Sequence, residues 1–262
     1  MNRIRLACMQ TNTTKAKLRA GQTVFGCFVR YPDATLIEVM GYHDWDFLVF
    51  DGEHGTVEPR DAEHMTRAAE LRGVTPIVRV TTNLQPTILR YMDTGAHGLI
   101  VPWVNTAAQA ESAVRSVKYH PRGIRGVAGV RASDYAQAGT LTDYVQKANA
   151  ETLVVLQVET LEAVENLPAI LAVPDVDVIF IGPNDLAHSM GLPGQIQHPD
   201  VQAMMQRIAD QVTRSDKALG LMIQNAEGAK LWQERGARFI SINFETILRP
   251  ATLAYLQAVR ET

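Results

Sequence analysis

TLVVLQVE (152–159) is an apolar run of strand length that closes on a carboxylate. The residues behind it, 161–171, carry apolar positions at three-to-four spacing, and DVIFIG (177–182) is a second apolar run that leads into Pro183, Asn184 and Asp185. Continuous rather than alternating hydrophobicity belongs to a strand buried on both faces. A helix between two such strands is the unit of a parallel sheet covered by helices. The same rhythm extends in both directions. Six more runs read as strands: TVFGCFV (23–29), DFLVF (46–50), PIVRV (76–80), GLIVPWV (98–104), ALGLMIQ (218–224) and RFISINF (238–244). Helical patterns fall near 33–41, 60–72, 84–94, 106–118, 199–214, 226–235 and 246–260, as with Val201, Met204, Met205, Ile208 and Val212. Eight βα units in 262 residues predict an α/β fold, a (β/α)8 TIM barrel in a single domain over 1–262 with an N-terminal helical extension at about 1–22. A doubly wound open sheet is the alternative. Two stretches break the rhythm, 119–150 and 183–198. The first holds a basic loop with Gly123, Gly126 and Gly129 and then a helix near 141–149, and both are read as long loops of the kind that carry function on a barrel's C-terminal face.

Composition narrows the function. The net charge is −3, which excludes a broad basic field for nucleic acid. Arg3, Arg5, Lys15, Lys17 and Arg19 read as a solvated helix and its approach. No apolar run nears the roughly 18 residues of a membrane helix. IRLACMQ (4–10) is too short, and too interrupted by Arg5, for a signal peptide. Cys8 and Cys27 form no metal spacing. They are either the free thiols of a cytoplasmic protein, with Cys27 buried in a strand, or a disulfide pair. The chain lacks GxGxxG, GxxxxGK[ST] and GxSxG. None of Lys15, Lys17, Lys118, Lys147, Lys217 and Lys230 lies in a strand run, which speaks against Schiff-base chemistry.

The strand ends carry the chemistry. FLVFDGEH (47–54) closes on Asp51, Glu53 and His54, PIVRV carries Arg79, LVVLQVE carries Gln157 and Glu159, and VIFIGPND ends on Asp185. Acids and an arginine at the ends of buried strands are costly unless paired or bound to something. Each has a plainer reading: Asp51 and Asp185 as helix caps, His54 as a loop cap, Arg79 as a structural partner of Glu159. On a barrel all of them reach one rim. Glu159 and Asp185 are hard oxygen donors that suit Mg2+ or Mn2+ and do not resemble a zinc site. Asp51 and His54, three apart, suit a proton-transfer dyad, and Arg79 suits an oxyanion or carboxylate. Together these groups suit forming and protonating an enolate beside a metal-bound carbonyl. Arg30, just past the first strand, is placed to take a distal carboxylate or hydroxyl of an extended substrate. A salt bridge to Asp33 or Glu38 is its plainer reading.

FLVFDGEHGTVEP, PIVRV, MDTGAHGLIVPWVNTAAQA, YHPRGIRGVAG, LQVETLEAVENLP and VDVIFIGPNDLAHSMG resemble the metal-dependent pyruvate aldolases of the HpcH/HpaI family over about residues 23–245. The resemblance implies a barrel, a divalent ion (Mg2+, Mn2+ or Co2+) and retro-aldol cleavage of 4-hydroxy-2-oxo acids to pyruvate or a close analogue plus an aldehyde. By position, Glu159 and Asp185 match the metal ligands. His54 with Asp51 matches the proton-transfer dyad, and Arg79 the keto-oxygen partner. Gln157 matches a residue at metal and substrate. Gly182, Pro183, Asn184 and Asp185 match the segment holding the pyruvate carboxylate. Arg125, in the GIRG loop, is a further substrate-binding candidate. Asp93 matches a position that approaches a neighbouring subunit's site, so a homo-oligomer, commonly a hexamer, is implied. His120 and the ending NFETILR (243–249) depart from the family pattern and leave the aldehyde partner open. A malyl-CoA or citramalyl-CoA type lyase and a non-catalytic 2-oxo-acid-binding barrel are the rival functions.

Overall fold

The computed structural model describes residues 11–261. Eight parallel strands close into a barrel in sequence order: β1 (Val24–Val29), β2 (Phe47–Asp51), β3 (Thr75–Arg79), β4 (Gly98–Val101), β5 (Leu153–Val158), β6 (Val178–Ile181), β7 (Ala218–Met222) and β8 (Ala237–Asn243). β8 pairs back onto β1, with Phe28 opposite Asn243, and that pairing excludes the open sheet. Among the described residues twelve α-helices surround the strands, one of them beneath the barrel. They are α1 (Thr13–Arg19), α2 (Ala34–Met40), α3 (Pro59–Leu71), α4 (Gln85–Met92), α5 (Ala107–Val117), α6 (Leu141–Glu151), α7 (Leu161–Glu165), α8 (Leu167–Leu171), α9 (Pro183–Ser189), α10 (Pro199–Val212), α11 (Ala226–Glu234) and α12 (Phe244–Arg260). Cys8 and residues 1–10 of the expected N-terminal extension lie outside the described residues. Among those described, no helix is long and apolar enough to cross a membrane.

Strand side chains alternate between two cores, as the two-residue period requires. Val24, Phe28, Phe47, Val49, Ile77, Ile100, Leu153, Val155, Val178, Phe180 and Phe239 fill the barrel interior. Their strand neighbours, among them Cys27, Val29, Leu48, Phe50, Val78, Val154 and Leu156, face the helices. The interior is tight: Phe47 stacks on Phe239 with ring centroids 4.1 Å apart. A Cβ on Gly26 would come within 2.2 Å of the Phe47 ring, so only glycine leaves room for it. Cys27 is fully buried, and burial, helped by the charge of Glu245, pushes its thiol up to about 12.

Two expectations change here. The stretch 119–150 does not lie on the C-terminal face. It follows α5, which has already run back to the barrel's N-terminal end. It passes through a 3-10 turn (Arg131–Ala136) and α6, and enters β5 from below. Lys15 is not a solvated residue either. It is 4% exposed, and its amine bonds the carbonyl of Thr152 and pairs with Asp177 at 3.0 Å, which fastens α1 under the barrel.

Candidate active site

Counting outward from the inward-facing apolar residues in steps of two places the polar groups. Phe47 and Val49 lead to Asp51, Ile77 leads to Arg79, Leu153 and Val155 lead to Gln157 and Glu159, and Phe180 leads to Gly182. All of them point up the barrel axis at the C-terminal rim. Asp51 and Arg79 are also register partners across β2 and β3.

That register makes Arg79 the partner of Asp51. Its Nε lies 2.9 Å from Asp51 Oδ1 and its Nη2 2.6 Å from Oδ2, a two-pronged contact with both side chains buried. Asp51 also accepts the backbone N–H groups of Glu53 (3.1 Å) and His54 (3.2 Å). Burial alone would push this carboxyl up. The guanidinium and the N–H donors outweigh burial and hold it below the usual carboxylate range. The expected Asp51–His54 side-chain dyad is therefore not formed. The carboxylate folds back on the turn, and the imidazole stands half exposed with Nε2 4.0 Å from Glu53 Oε2. Glu53, named in the sequence motif but given no role there, is the acid between His54 and Arg79. Arg79 Nη1 lies 3.2 Å from its Oε2, and the indole Nε1 of Trp103 donates to its Oε1 at 3.2 Å. Burial pushes Glu53 up despite the pull of Arg79 and His54.

Glu159 forms the second half. It is 1% exposed. Its Oε1 accepts the backbone N–H of Trp103 at 2.7 Å, and its Oε2 accepts the amide of Gln157. Trp103 reaches this position because the chain leaves β4 through Pro102 with φ of +56° at Trp103. Nothing in the sequence marks that turn, and Trp103 was not foreseen. Gly182 permits the close approach, since a Cβ there would stand 2.3 Å from Glu159 Oε2. Asp185 sits half-buried in the first turn of α9, behind Pro183 and Asn184. Burial pushes Glu159 up to about 7, and the negative charges of Asp185 and Glu53 add to the effect.

These groups fit a hard divalent cation. The negative charge of Asp185 adds to what burial does to Glu159, and no cationic side chain is bonded to Glu159 to offset it. The Oε1 of Gln157 is buried beside them without a hydrogen-bond partner. No group of three or more His, Cys, Asp or Glu that could hold a metal ion exists among the described residues, so water or substrate oxygens would complete the coordination.

Of the remaining candidates, Arg30 reaches the rim and Arg125 and Asp93 do not. Arg30 pairs with neither Asp33, which caps α2, nor Glu38, which pairs with Arg72. Its Nε lies 3.6 Å from Asp51 Oδ2 and its Nη1 3.9 Å from Glu245 Oε1. Arg125 donates to Asp93 at 2.9 Å and stacks on Tyr119, on the outside near the barrel's opposite end. Neither Asp93 nor Arg125 reaches the rim of its own chain.

The model of the HpcH/HpaI aldolase/citrate lyase family matches residues 24–249. The chain belongs to the HpcH/HpaI aldolase/citrate lyase family. It is 38% identical over 237 residues to a 4-hydroxy-2-oxo-heptane-1,7-dioate aldolase of Escherichia coli, covering 90% of each chain. A hydroxypyruvate/pyruvate aldolase of Roseobacter denitrificans is 37% identical over 233 residues, 88% of this chain and 90% of the relative. The crystal structure of a family protein from Burkholderia cenocepacia superposes with a TM-score of 0.90 at 34% identity, over 95% of this chain and 100% of the other. As a member of this family the protein is a carbon–carbon lyase.

Proposed function

We propose that the protein catalyses the reversible cleavage of 4-hydroxy-2-oxo acids to pyruvate or hydroxypyruvate and an aldehyde, with Mg2+, Mn2+ or Co2+ held by Glu159 and Asp185. The observation that carries this reading is the Glu159 carboxylate. It is buried, fixed by two N–H donors, faced by a second carboxylate and left without a counter-charge. The activities for which the Escherichia coli and Roseobacter relatives are named support the substrate class.

A bound divalent ion would supply Lewis-acid polarisation of the 2-oxo group. The chain's own residues do the rest. Arg79, fixed on both sides by Asp51 and Glu53, offers a rigid positive charge where the 2-oxo oxygen gains negative charge as the C3–C4 bond breaks. His54 stands at the mouth of the site and takes the 4-hydroxyl proton, and the Glu53 carboxylate steadies the imidazolium that results. Gln157, whose amide bonds Glu159, has its carbonyl oxygen buried and unpaired and would offer it to the ion or the substrate. Gly182, Pro183, Asn184 and the start of α9 form the floor that receives the substrate carboxylate. The assembly is proposed to be a homo-oligomer. α12 has no buried residue in a single chain, and Ile247, Leu248, Tyr255 and Val259 form an exposed apolar face that a second subunit would cover.

The test is pyruvate release from synthetic 4-hydroxy-2-oxo acids, followed by coupling to lactate dehydrogenase. Cleavage that is lost on chelation and recovered with Mg2+ or Mn2+ is expected. Cleavage at full rate by chelated protein would contradict the assignment.

A further inference from the structure

Beside the catalytic groups the rim has a corner that the proposed chemistry does not use. It is made by the ends of β1 and β8, which are hydrogen-bonded neighbours. Asn243 closes β8 in the inward register of Phe239, and Arg30 follows β1 in the inward register of Phe28. Glu245 lies in the first turn of α12. Asn243 precedes that helix without capping it through its side chain.

Three buried atoms in this corner make no hydrogen bond: Arg30 Nε, which stands 3.6 Å from Asp51 Oδ2, Asn243 Oδ1, and Glu245 Oε2, of a carboxylate that the Tyr31 hydroxyl also approaches. One is a donor and two are acceptors. Buried groups left unpaired are costly, so such a set marks a place where another molecule completes the bonding. A hydroxyl group can meet it, because it donates to an acceptor oxygen and accepts from the guanidinium N–H. A carboxylate cannot, because it has no proton to give. Charge points the same way. Arg30 already lies between Asp51 and Glu245, at 3.6 and 3.9 Å. With Glu53 counted, three carboxylates face two guanidiniums along this side of the rim, so an added anion meets repulsion. Arg30 reaches Asp51, which Arg79 holds, so the corner opens directly beside the reacting groups.

We infer that Arg30, Asn243 and Glu245 read the far end of the acceptor aldehyde and select an uncharged, hydroxylated chain over one ending in a carboxylate. The inference rests on the aldolase reading above. It assigns Arg30 the hydroxyl rather than the distal carboxylate, and it gives Asn243 and Glu245 a part that the sequence did not suggest.

The test measures condensation of pyruvate with four aldehydes by the Mg2+-loaded enzyme: glycolaldehyde, acetaldehyde, D-glyceraldehyde and succinic semialdehyde. Wild type is expected to show a higher kcat/KM for D-glyceraldehyde than for succinic semialdehyde. Glu245→Gln and Asn243→Leu are each expected to lower the glycolaldehyde-to-acetaldehyde ratio of kcat/KM at least fivefold. Each ratio is taken within one protein, so a general loss of activity cancels. Glu245→Gln should also raise succinic semialdehyde relative to acetaldehyde by about tenfold, the effect of removing one nearby like charge. Unchanged ratios in both variants, or a wild-type preference for succinic semialdehyde, would overturn the inference. If one variant fails to fold, the other and the wild-type ranking still decide. Exchange of the pyruvate methyl protons with deuterium, measured on wild type without aldehyde, separates the two failures. No exchange sinks the aldolase reading, whereas exchange with unchanged ratios sinks only the reading of this corner.

Discussion

Gly182 is the residue whose change most cleanly separates the proposed metal site from the fold. An added methyl would stand 2.3 Å from Glu159 Oε2 and 2.9 Å from its Cβ, so the carboxylate must leave the position in which Trp103 and Gln157 hold it. Gly182→Ala is expected to weaken Mn2+ binding, measured by calorimetry, at least tenfold and to leave the far-ultraviolet circular dichroism unchanged. Mn2+ affinity equal to wild type would show that Glu159 does not need this geometry. His54 is tested by how its effect divides between kcat and KM. As a base acting in the transition state, its loss in His54→Ala should lower kcat for cleavage by about 10²-fold or more, with KM little altered. A rise in KM alone would make it a binding residue. Most of these positions were legible, because carboxylates and an arginine at the ends of apolar runs have few uses. The pairing among them was not. Asp51 and His54 stand three apart and suggest a dyad, yet the carboxylate turns to the backbone N–H of residues 53 and 54, and Arg79 takes it through the sheet register. Glu53 and Trp103 gain their roles only where the ends of β2 and β4 meet.

At the scale of elements, the β-strands read true because a parallel barrel demands continuous apolar runs, and inward parity then fixes which strand-end side chains reach the rim. The insertion 119–150 read less well. Its glycines and basic residues look like a loop over an active site, whereas chain order places it after α5 and at the other end. There it is fastened by Lys118, which is 1% exposed and donates to the carbonyls of Asn149 (2.7 Å) and Thr152 (2.9 Å) at the close of α6. Burial, reinforced by the neighbouring charge of Lys15, lowers Lys118 from 10.5 to about 7. The native state gives up this proton near pH 7 and the unfolded chain near 10.5. Between these values the unfolded chain holds more protons, so stability from this group climbs with pH and is lost below about 7. Wild type should therefore gain stability over Lys118→Met as pH rises from 7 to 10, by at most about 1.4 kcal/mol per unit. Denaturant unfolding of both proteins across that range checks it, and a difference that shrinks with pH would contradict it.

On the scale of the whole molecule, closure of the barrel is what turns separate strand ends into one site. β1–β8 pairing brings Arg30 and Asn243 to the same rim as Asp51, Arg79 and Glu159. The hydrophobic pattern gave eight strands but could not tell a closed barrel from an open sheet, since both bury every strand on two faces. Resemblance and strand count favoured the barrel, and the register confirms it. The net charge of −3 hides the local arrangement, in which carboxylates gather at one mouth. This mouth is proposed to stabilise a pyruvate enolate with a divalent ion on Glu159 and Asp185. The most direct test is proton nuclear magnetic resonance of pyruvate in D2O with the enzyme present. The methyl signal should decay with Mg2+ or Mn2+, persist after chelation, and decay again when the ion is restored. Decay that continues unchanged in chelated protein, or a signal that persists with the ion present, would contradict it.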